Sequence, residues 1–547
     1  MSKVTLLSNG VVLICGMKKI LFVLISILLV NVIQSQTVRV FPQTNDQLGG
    51  LQSYTFGSTL DGYVVFGGRL DGLHRRQPFA AFDIAGHNLN VSFINPTSVN
   101  VVHHNTSSLP DEVEEQMHST NACFVQKDNR LYVVGGYGYS AIQNNHITFP
   151  SLLVFDIALL RAAVIGQTDM NSALLARIED DRFAVTGGKL VKMNNQFFLV
   201  GGHRFDGRYN PMGPNNGPGF SQTYSSAIRR FEVANDLVVT WFDEWYDESL
   251  LHRRDFNVLP SLDLSGMSEN ISVYSGVFQV NVDIPFLNAV NVTASGYNEV
   301  NNFAQYYNHY HCATLPIYNA SQQKVEHYFF GGIAQYYDSL GIMVQNNNVP
   351  FVKTIACVTQ SANGQWQESL VPQLLPGYLG AGAELLPAHG MAELNNGIIQ
   401  LTTEQLSMDS VFVGYIYGGI SSSEKNVFWS NSSLSTAANV WMAVYYYPGL
   451  SNTVLNLHSV NGLKWHVYPN PFNNKVIVQF YSRDSKPVQL TWRDLKGSII
   501  EQTLLDSVQI GKNEFVYENK ANWLGGTYFL TIDVNGHSVT QKVIFEE

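Results

Sequence analysis

The apolar positions of this chain fall in short runs of four or so residues, and five of these runs end alike. Leu131-Tyr132-Val133-Val134 meets Gly135-Gly136, and Tyr63-Val64-Val65-Phe66 meets Gly67-Gly68. Phe197 to Val200 meets Gly201-Gly202, Tyr328 to Phe330 meets Gly331-Gly332, and Tyr415 to Tyr417 meets Gly418-Gly419. Runs this short, rich in β-branched and aromatic residues, predict buried strands. The glycines permit positive φ and let a neighbouring backbone approach where a side chain would block it. The first glycines lie 68, 66, 130 and 87 residues apart, and the gap of 130 is close to two periods. It contains a worn copy, Ile271-Ser272-Val273-Tyr274-Ser275-Gly276, which makes six.

A fixed period predicts a repeat architecture. The phrase resembles the kelch motif, which implies one copy per blade and a six-bladed β-propeller from about Val38 to Tyr447. The mean spacing is about 70 residues against ~50 for kelch repeats, which predicts long loops between strands. The Tyr and Trp usual further along each kelch repeat are not regular here. A shorter inner strand is expected before each glycine strand: Gln52–Phe56, Thr120–Val125, Phe183–Thr186, Phe256–Leu259, Cys312–Leu315 and Ala383–Leu386. Val427–Trp429 and Val440–Tyr445 are expected in the last blade, and Thr37–Phe41 is the candidate to close it.

The composition agrees with an all-β chain. Of 547 residues, 45% are hydrophobic, 12% aromatic and 14% charged, with 44 glycines, and helical periodicity is nearly absent. The length exceeds one ordinary domain. Near the N-terminus, Met17-Lys18-Lys19 precedes an apolar run from Ile20 to Val30 and a small residue, Ser35. This is the pattern of a signal peptide over residues 1–35, with Met17 an alternative start. The run is shorter than the ~20 residues of a membrane span, so the mature chain is expected to carry no transmembrane anchor. Cleavage would remove Lys3, Lys18 and Lys19 and take the net charge from −11 to −14. Such an acidic chain is a poor partner for nucleic acid or anionic membranes. Of the cysteines, Cys15 is lost with the leader. Cys123 and Cys312 fall on opposite blades, beyond disulfide reach, and with Cys357 they read as small buried hydrophobes.

Antiparallel neighbours place the start of each inner strand and the end of each glycine strand on one face of the disc. That face collects the candidate ligand-binding residues Arg69, Arg75, His118, Arg177, His203, Arg204, Arg254, His311 and Tyr336. Arginine forks suit carboxylate or sulfate, and tyrosine faces suit sugars. The plainer reading is local: Arg69 to Gly72 and Phe205 to Arg208 are Asp-Gly turns with their own ion pairs. No nucleophile elbow, phosphate loop or His-Glu-x-x-His occurs. His309 and His311 give only weak support for a metal site, so no metal, cofactor or catalytic residue is assigned. Some kelch-like propellers are copper sugar oxidases or sialic acid mutarotases, and neither matches residue by residue. Two functions stay open, a binding propeller for glycan or protein and a carbohydrate-active enzyme. Convergence of a carboxylate, His or Tyr with two arginines at the channel mouth would favour the enzyme.

From Trp465 onward the patterning changes to longer alternating strands, and a β-sandwich is expected. Tyr468-Pro469-Asn470-Pro471, Asp494-Leu495-Lys496-Gly497, Gly526-Thr527-Tyr528 and Lys542-Val543-Ile544 follow in order. This set resembles the type A sorting domain of the type IX secretion system of Bacteroidetes. The resemblance implies a partner in that secretion machinery, transfer across the outer membrane, and a secreted or surface-attached product. The domains expected are therefore a leader at 1–35, a propeller at 36–451, a linker at 452–464 and a sorting domain at 465–547.

Overall fold

The computed structural model describes residues 37–43, 47–73, 81–98, 100–209, 219–339, 341–427, 434–448, 458–460, 463–482, 485–494, 497–518, 523–534 and 537–546. The expected leader, Arg75, Phe428, Trp429 and most of the expected linker lie outside the described residues. The protein is all-β, 54% strand and 7% helix, and it divides after Gly449 into two compact units.

The larger unit is a series of antiparallel sheets taken in chain order. Sheet I holds Thr55–Ser58, Tyr63–Phe66, Asn90–Asn95 and Asn100–Asn105. Sheet II holds Cys123–Lys127, Arg130–Val134, Ser151–Asp156 and Leu174–Glu179. Sheet III is built on Lys189–Met193, Gln196–Val200, Ala227–Val233 and Val239–Trp241. Asn257–Asp263, Ser268–Tyr274, Val290–Thr293 and Gly296–Glu299 form sheet IV. Ala313–Asn319, Lys324–Ile333, Phe351–Ser361 and Trp366–Leu370 form sheet V. Sheet VI takes Tyr378–Pro387, Val411–Ser422 and Trp441–Tyr447 from the end of the unit. Its fourth strand is Thr37–Gln43 from the beginning, antiparallel to the third with Thr37 opposite Tyr447.

The apolar faces between these sheets close on themselves. Phe66 of sheet I shares a core with Val133 and Leu153 of II, and Tyr132 of II shares one with Phe197 of III. Phe198 joins Val258 of IV, Tyr274 joins Phe329 of V, and Tyr328 joins Ile416 and Met442 of VI. Tyr417 and Trp441 of VI then pack on Tyr63 and Val65 of I.

The paired glycines make these junctions. Both members of each pair have positive φ, for example +66° and +90° at Gly135 and Gly136. At four of the five pairs the second amide donates to a carbonyl ahead of the next sheet: Gly68 to Ser119 at 2.9 Å, Gly136 to Val185 at 3.0 Å, Gly202 to Arg253 at 2.7 Å and Gly419 to Leu51 at 2.8 Å. In the worn copy Ser275 holds the same left-handed position, at φ +58°. Its hydroxyl donates to Asn308 O at 2.6 Å, so the side chain makes the inter-sheet bond.

Two expectations are corrected. Phe183–Thr186 is not a strand. Asp181–Phe183 is a 3-10 turn, Gly187 takes φ +64°, and the first strand of sheet III starts at Lys189. A left-handed residue also precedes the first strand at Ser53, Asn121 and Asp255, which delays the strand by the residues spent in the turn. Part of the extra repeat length is folded rather than loop. Hairpins Tyr137–Ser140/Asn145–Thr148, His203–Gly207/Phe220–Tyr224 and Tyr336–Ser339/Ile342–Gln345 rise from sheets II, III and V. Helices Asp111–Met117 and Ile157–Val164 take up more.

The smaller unit has two four-stranded antiparallel sheets sharing one core, in which Trp465, Val478 and Tyr517 of one meet Trp492, Leu530 and Val543 of the other. The Tyr-Pro-Asn-Pro stretch is fastened to the last strand. Asn470 donates to Lys542 O at 2.9 Å and accepts from the Ile544 amide at 2.8 Å.

Candidate ligand cavity

One residue from or near the first strand of each sheet meets the others at one place through its backbone, and five of the six, all but His311, are left-handed. The Asn121 amide donates to Ser53 O, Gly187 to Asn121, Asp255 to Gly187, His311 to Asp255, Gly382 to His311, and Ser53 to Gly382, at 2.7–3.2 Å. This is a closed cycle of six hydrogen bonds, one from each sheet to the next, and it pairs polar groups that would otherwise be left open at the centre.

A cavity of about 240 Å³ is lined by this ring and by the segments leaving the glycine pairs. The residue directly after each pair faces it: Arg69, Tyr137, His203, Val277, Ile333 and Ile420. The walls are completed by aromatic side chains, Phe82, Phe205, Tyr209, Phe278 and Tyr310 among them.

Arg69 is 3% exposed and holds Asp71 bidentately, Nε to Oδ1 at 2.7 Å and Nη2 to Oδ2 at 2.5 Å. Nη2 also donates to Asp83 O at 2.9 Å, while Nη1 is buried with no hydrogen-bond partner. The Gln222 amide donates to Nδ1 of His203 at 2.7 Å, which puts the imidazole proton on Nε2. Burial, with the charge of Arg254, holds His203 well below the usual histidine range, so it is neutral. Arg254 donates to Tyr224 Oη at 2.9 Å and lies 3.7 Å from Asp255. Tyr137 donates to Gly207 O at 2.7 Å. Burial pushes the Tyr137 and Tyr310 hydroxyls up, so both stay protonated. The His311 side chain joins a buried cluster, with Nε2 2.6 Å from Glu384 Oε1 and 2.8 Å from Lys189 Nζ. Burial opposes the charge on Glu384, but Lys189 and His311 outweigh it and hold the carboxyl below its ordinary value.

Of the residues the sequence nominates, Arg69, His203, Arg254 and His311 meet at the cavity. Arg177 and Arg204 line a second, outer hollow with Glu115 and Asp206. There Arg177 pairs with Glu179 at 3.0 Å, and Arg204 with Asp206 at 2.7 Å and Asp181 at 3.2 Å. His118 bonds Thr106 at 2.7 Å through Nε2, away from the cavity. Tyr336 packs edge-on against Tyr306. His309 turns away from His311 to Thr354, at 3.1 Å. Sequence reasoning missed Tyr137, Val277, Ile333 and Ile420. Aligning the five glycine pairs and Ser275-Gly276 and reading the next residue finds them.

Comparison with known proteins adds the tail. Residues 466–546 match the family described as secretion system C-terminal sorting domain. The tail is thus a type IX sorting domain, which implies export through that system and a secreted or cell-surface protein. No curated relative matches the sequence. Among solved structures, the chain is similar to one titled "Structure of YjhT", at 11% identity and TM-score 0.40, covering 71% of this chain and 94% of that one. It is also similar to a Lactobacillus plantarum protein, at 10% identity and TM-score 0.28, covering 88% and 100%. A third is a Bacillus subtilis glycoside hydrolase family 43 arabinoxylan arabinofuranohydrolase, at 9% identity and TM-score 0.25, covering 78% and 94%. The six antiparallel sheets, whose shared cores run from one to the next and back to the first, give the larger unit a β-propeller-like fold, and likenesses this distant say nothing of its ligand. Among the described residues no helix is long and apolar enough to cross a membrane.

Proposed function

We propose that the larger unit is a six-bladed kelch-type β-propeller that binds a small glycan in its central cavity, after export by a leader at 1–35 and the sorting domain at 465–547. The carrying observation is the convergence, on one cavity of about 240 Å³, of the residue after every repeat of the glycine phrase, Arg69 among them, together with Arg254. The volume lies below the ~300–1,000 Å³ of drug-sized sites, so it suits one or two sugar rings rather than a protein surface. The aromatic walls offer stacking faces, and Arg69 Nη1 and His203 Nε2–H are donors for hydroxyl or carboxylate oxygens.

The test is calorimetric titration of the chain from Gln36 onward with a panel of mono- and disaccharides. Arg254→Gln should weaken binding at least tenfold without a large change in melting temperature. Binding that is indifferent to Arg254→Gln but lost in Arg204→Gln would move the site to the outer hollow and overturn the reading.

One observation favours the second reading, a carbohydrate-active enzyme: His203, Tyr310, Asp71 and Asp255 share the cavity with two arginines. Against it, Tyr137 and Tyr310 stay protonated and His203 stays neutral, whereas a general acid or base works best with a pKa near the operating pH. New anomeric signals in proton NMR during incubation with the panel would decide for the enzyme.

A further inference from the structure

The six positions after the glycine pairs divide the cavity in half. Going round from sheet I to sheet III they are Arg69, Tyr137 and His203, and from sheet IV to sheet VI they are Val277, Ile333 and Ile420. At this one position three consecutive sheets thus present hydrogen-bonding side chains and the next three aliphatic ones, while Asp255, Tyr310 and His311, ahead of the first strands of sheets IV and V, line the cavity as well. The aliphatic half is also a core in its own right. Ile333, Ala381 and Ile420 belong to one buried cluster with Phe351, and Leu73 and Tyr310 pack against it. Arg254 begins on the aliphatic side but bonds back to Tyr224, on the hairpin of sheet III. On the polar side Arg69 Nη1 and Asn121 Oδ1 are buried without partners, one donor and one acceptor.

A ligand that satisfies both halves has one edge of hydroxyls and an opposite edge that is methyl-like. Resting on the glycan-binding reading above, we infer that the cavity takes a 6-deoxyhexose, its hydroxyl edge on Arg69 and His203 and its C6 methyl on Val277, Ile333 and Ile420. An ordinary hexose carries a hydroxymethyl at C6. Seated the same way, it would turn that hydroxyl onto Val277, Ile333 and Ile420, which carry no polar atom to pair with it, beside a wall whose neighbouring polar side chain is Tyr310. Single-group differences of this kind in a closed pocket are worth about 10- to 200-fold in affinity.

The experiment is calorimetric titration of the chain from Gln36 onward with pairs that differ only at C6: D-fucose and D-galactose, quinovose and D-glucose, L-fucose and L-galactose, L-rhamnose and L-mannose. The expected result is that one 6-deoxy sugar binds at least tenfold more tightly than its hexose. Ile420→Thr, which puts a hydroxyl into the aliphatic wall, should cut that preference below threefold. Ile420→Val, which keeps the wall apolar, should retain it, and Val277→Thr is a second probe if Ile420→Thr melts early. Hexoses binding as tightly as their 6-deoxy partners in every pair would overturn the inference and leave the glycan-binding reading standing. A preference that survives both threonine variants would overturn the assignment of the methyl to this wall. No binding by any of the eight sugars would overturn the inference together with the reading it rests on.

Discussion

Gly135→Ala tests how the sheets are joined. Gly135 has φ +66°, and left-handed backbone costs a residue with a β-carbon about 1–2 kcal/mol. The structure adds a second term. A β-carbon on Gly135 would stand 1.9 Å from Val185 O and 2.9 Å from Phe183 O. Val185 O is also the acceptor of the Gly136 amide, at 3.0 Å, so sheet II and the start of sheet III must separate. Overpacking against backbone costs about 1–3 kcal/mol, and a lost backbone hydrogen bond about 0.5–1.5 kcal/mol. Gly135→Ala should therefore destabilise by about 3–6 kcal/mol. Gly166→Ala is the matched control: its φ is +76°, and nothing lies within 4 Å of a β-carbon there. It should cost only the left-handed term, about 1–2 kcal/mol. Denaturant unfolding of the chain from Gln36 onward, following the transition of the larger unit, measures both. If the two variants agree to within about 0.5 kcal/mol, the contact with Val185 carries no weight and the junction account fails.

Three further outcomes are expected. Cys123, Cys312 and Cys357 are free and buried, and burial pushes the Cys123 and Cys312 thiols up to about 12. The chain from Gln36 onward should release three thiols to a disulfide reagent on denaturation without reductant and almost none when folded; a single thiol would reveal a bridge. His327 donates to Pro260 O at 3.0 Å and accepts from Tyr274 Oη at 2.8 Å, and burial lowers its pKa to about 4. A depressed histidine stabilises the fold above its unfolded value near 6.5 and loses that contribution as pH falls toward 4, so His327→Gln should flatten the loss of stability over that window by up to about 3 kcal/mol; an unchanged pH profile would count against a neutral buried ring. Deleting residues after Leu463 should leave a soluble, folded protein held in the periplasm of a host with the type IX system, and a deletion secreted at the normal level would contradict the role given to the tail.

Much of the frame was legible because its signal is backbone chemistry written as glycine. The pairs at 67, 135, 201, 331 and 418 mark the strand ends, and Ser275, which the spacing puts in the same slot, takes φ +58°. The tail was legible because Asn470 and the Lys542–Ile544 stretch meet through specific hydrogen bonds. The site was half legible, for a geometric reason. Side chains alternate across a strand, so His203 faces the cavity and Arg204, one residue on, faces the outer hollow. Arg177 lies on the fourth strand of sheet II rather than in the lead-in to the first strand of sheet III, and the register needed to tell these apart depends on bulges and left-handed turns. The strand expected at Phe183–Thr186 failed likewise, since Gly187 turns the chain before pairing begins.

The same division explains why the cavity can carry chemistry at all. The ring that gathers the six sheets uses backbone amides and carbonyls, and each glycine pair meets its neighbour through backbone. Neither needs any particular side chain at the next position, which is free to be Arg69, Tyr137 or His203 on one side and Val277, Ile333 or Ile420 on the other. Where a side chain does intrude on the frame, at Ser275, its hydroxyl takes over the inter-sheet bond, to Asn308 O. The frame therefore rests mainly on backbone atoms and the site on the side chains of adjacent residues, with Ile333 and Ile420 belonging to both through their buried cluster. A substitution at a pair glycine should act on stability, and one at the following residue should act on what the cavity binds.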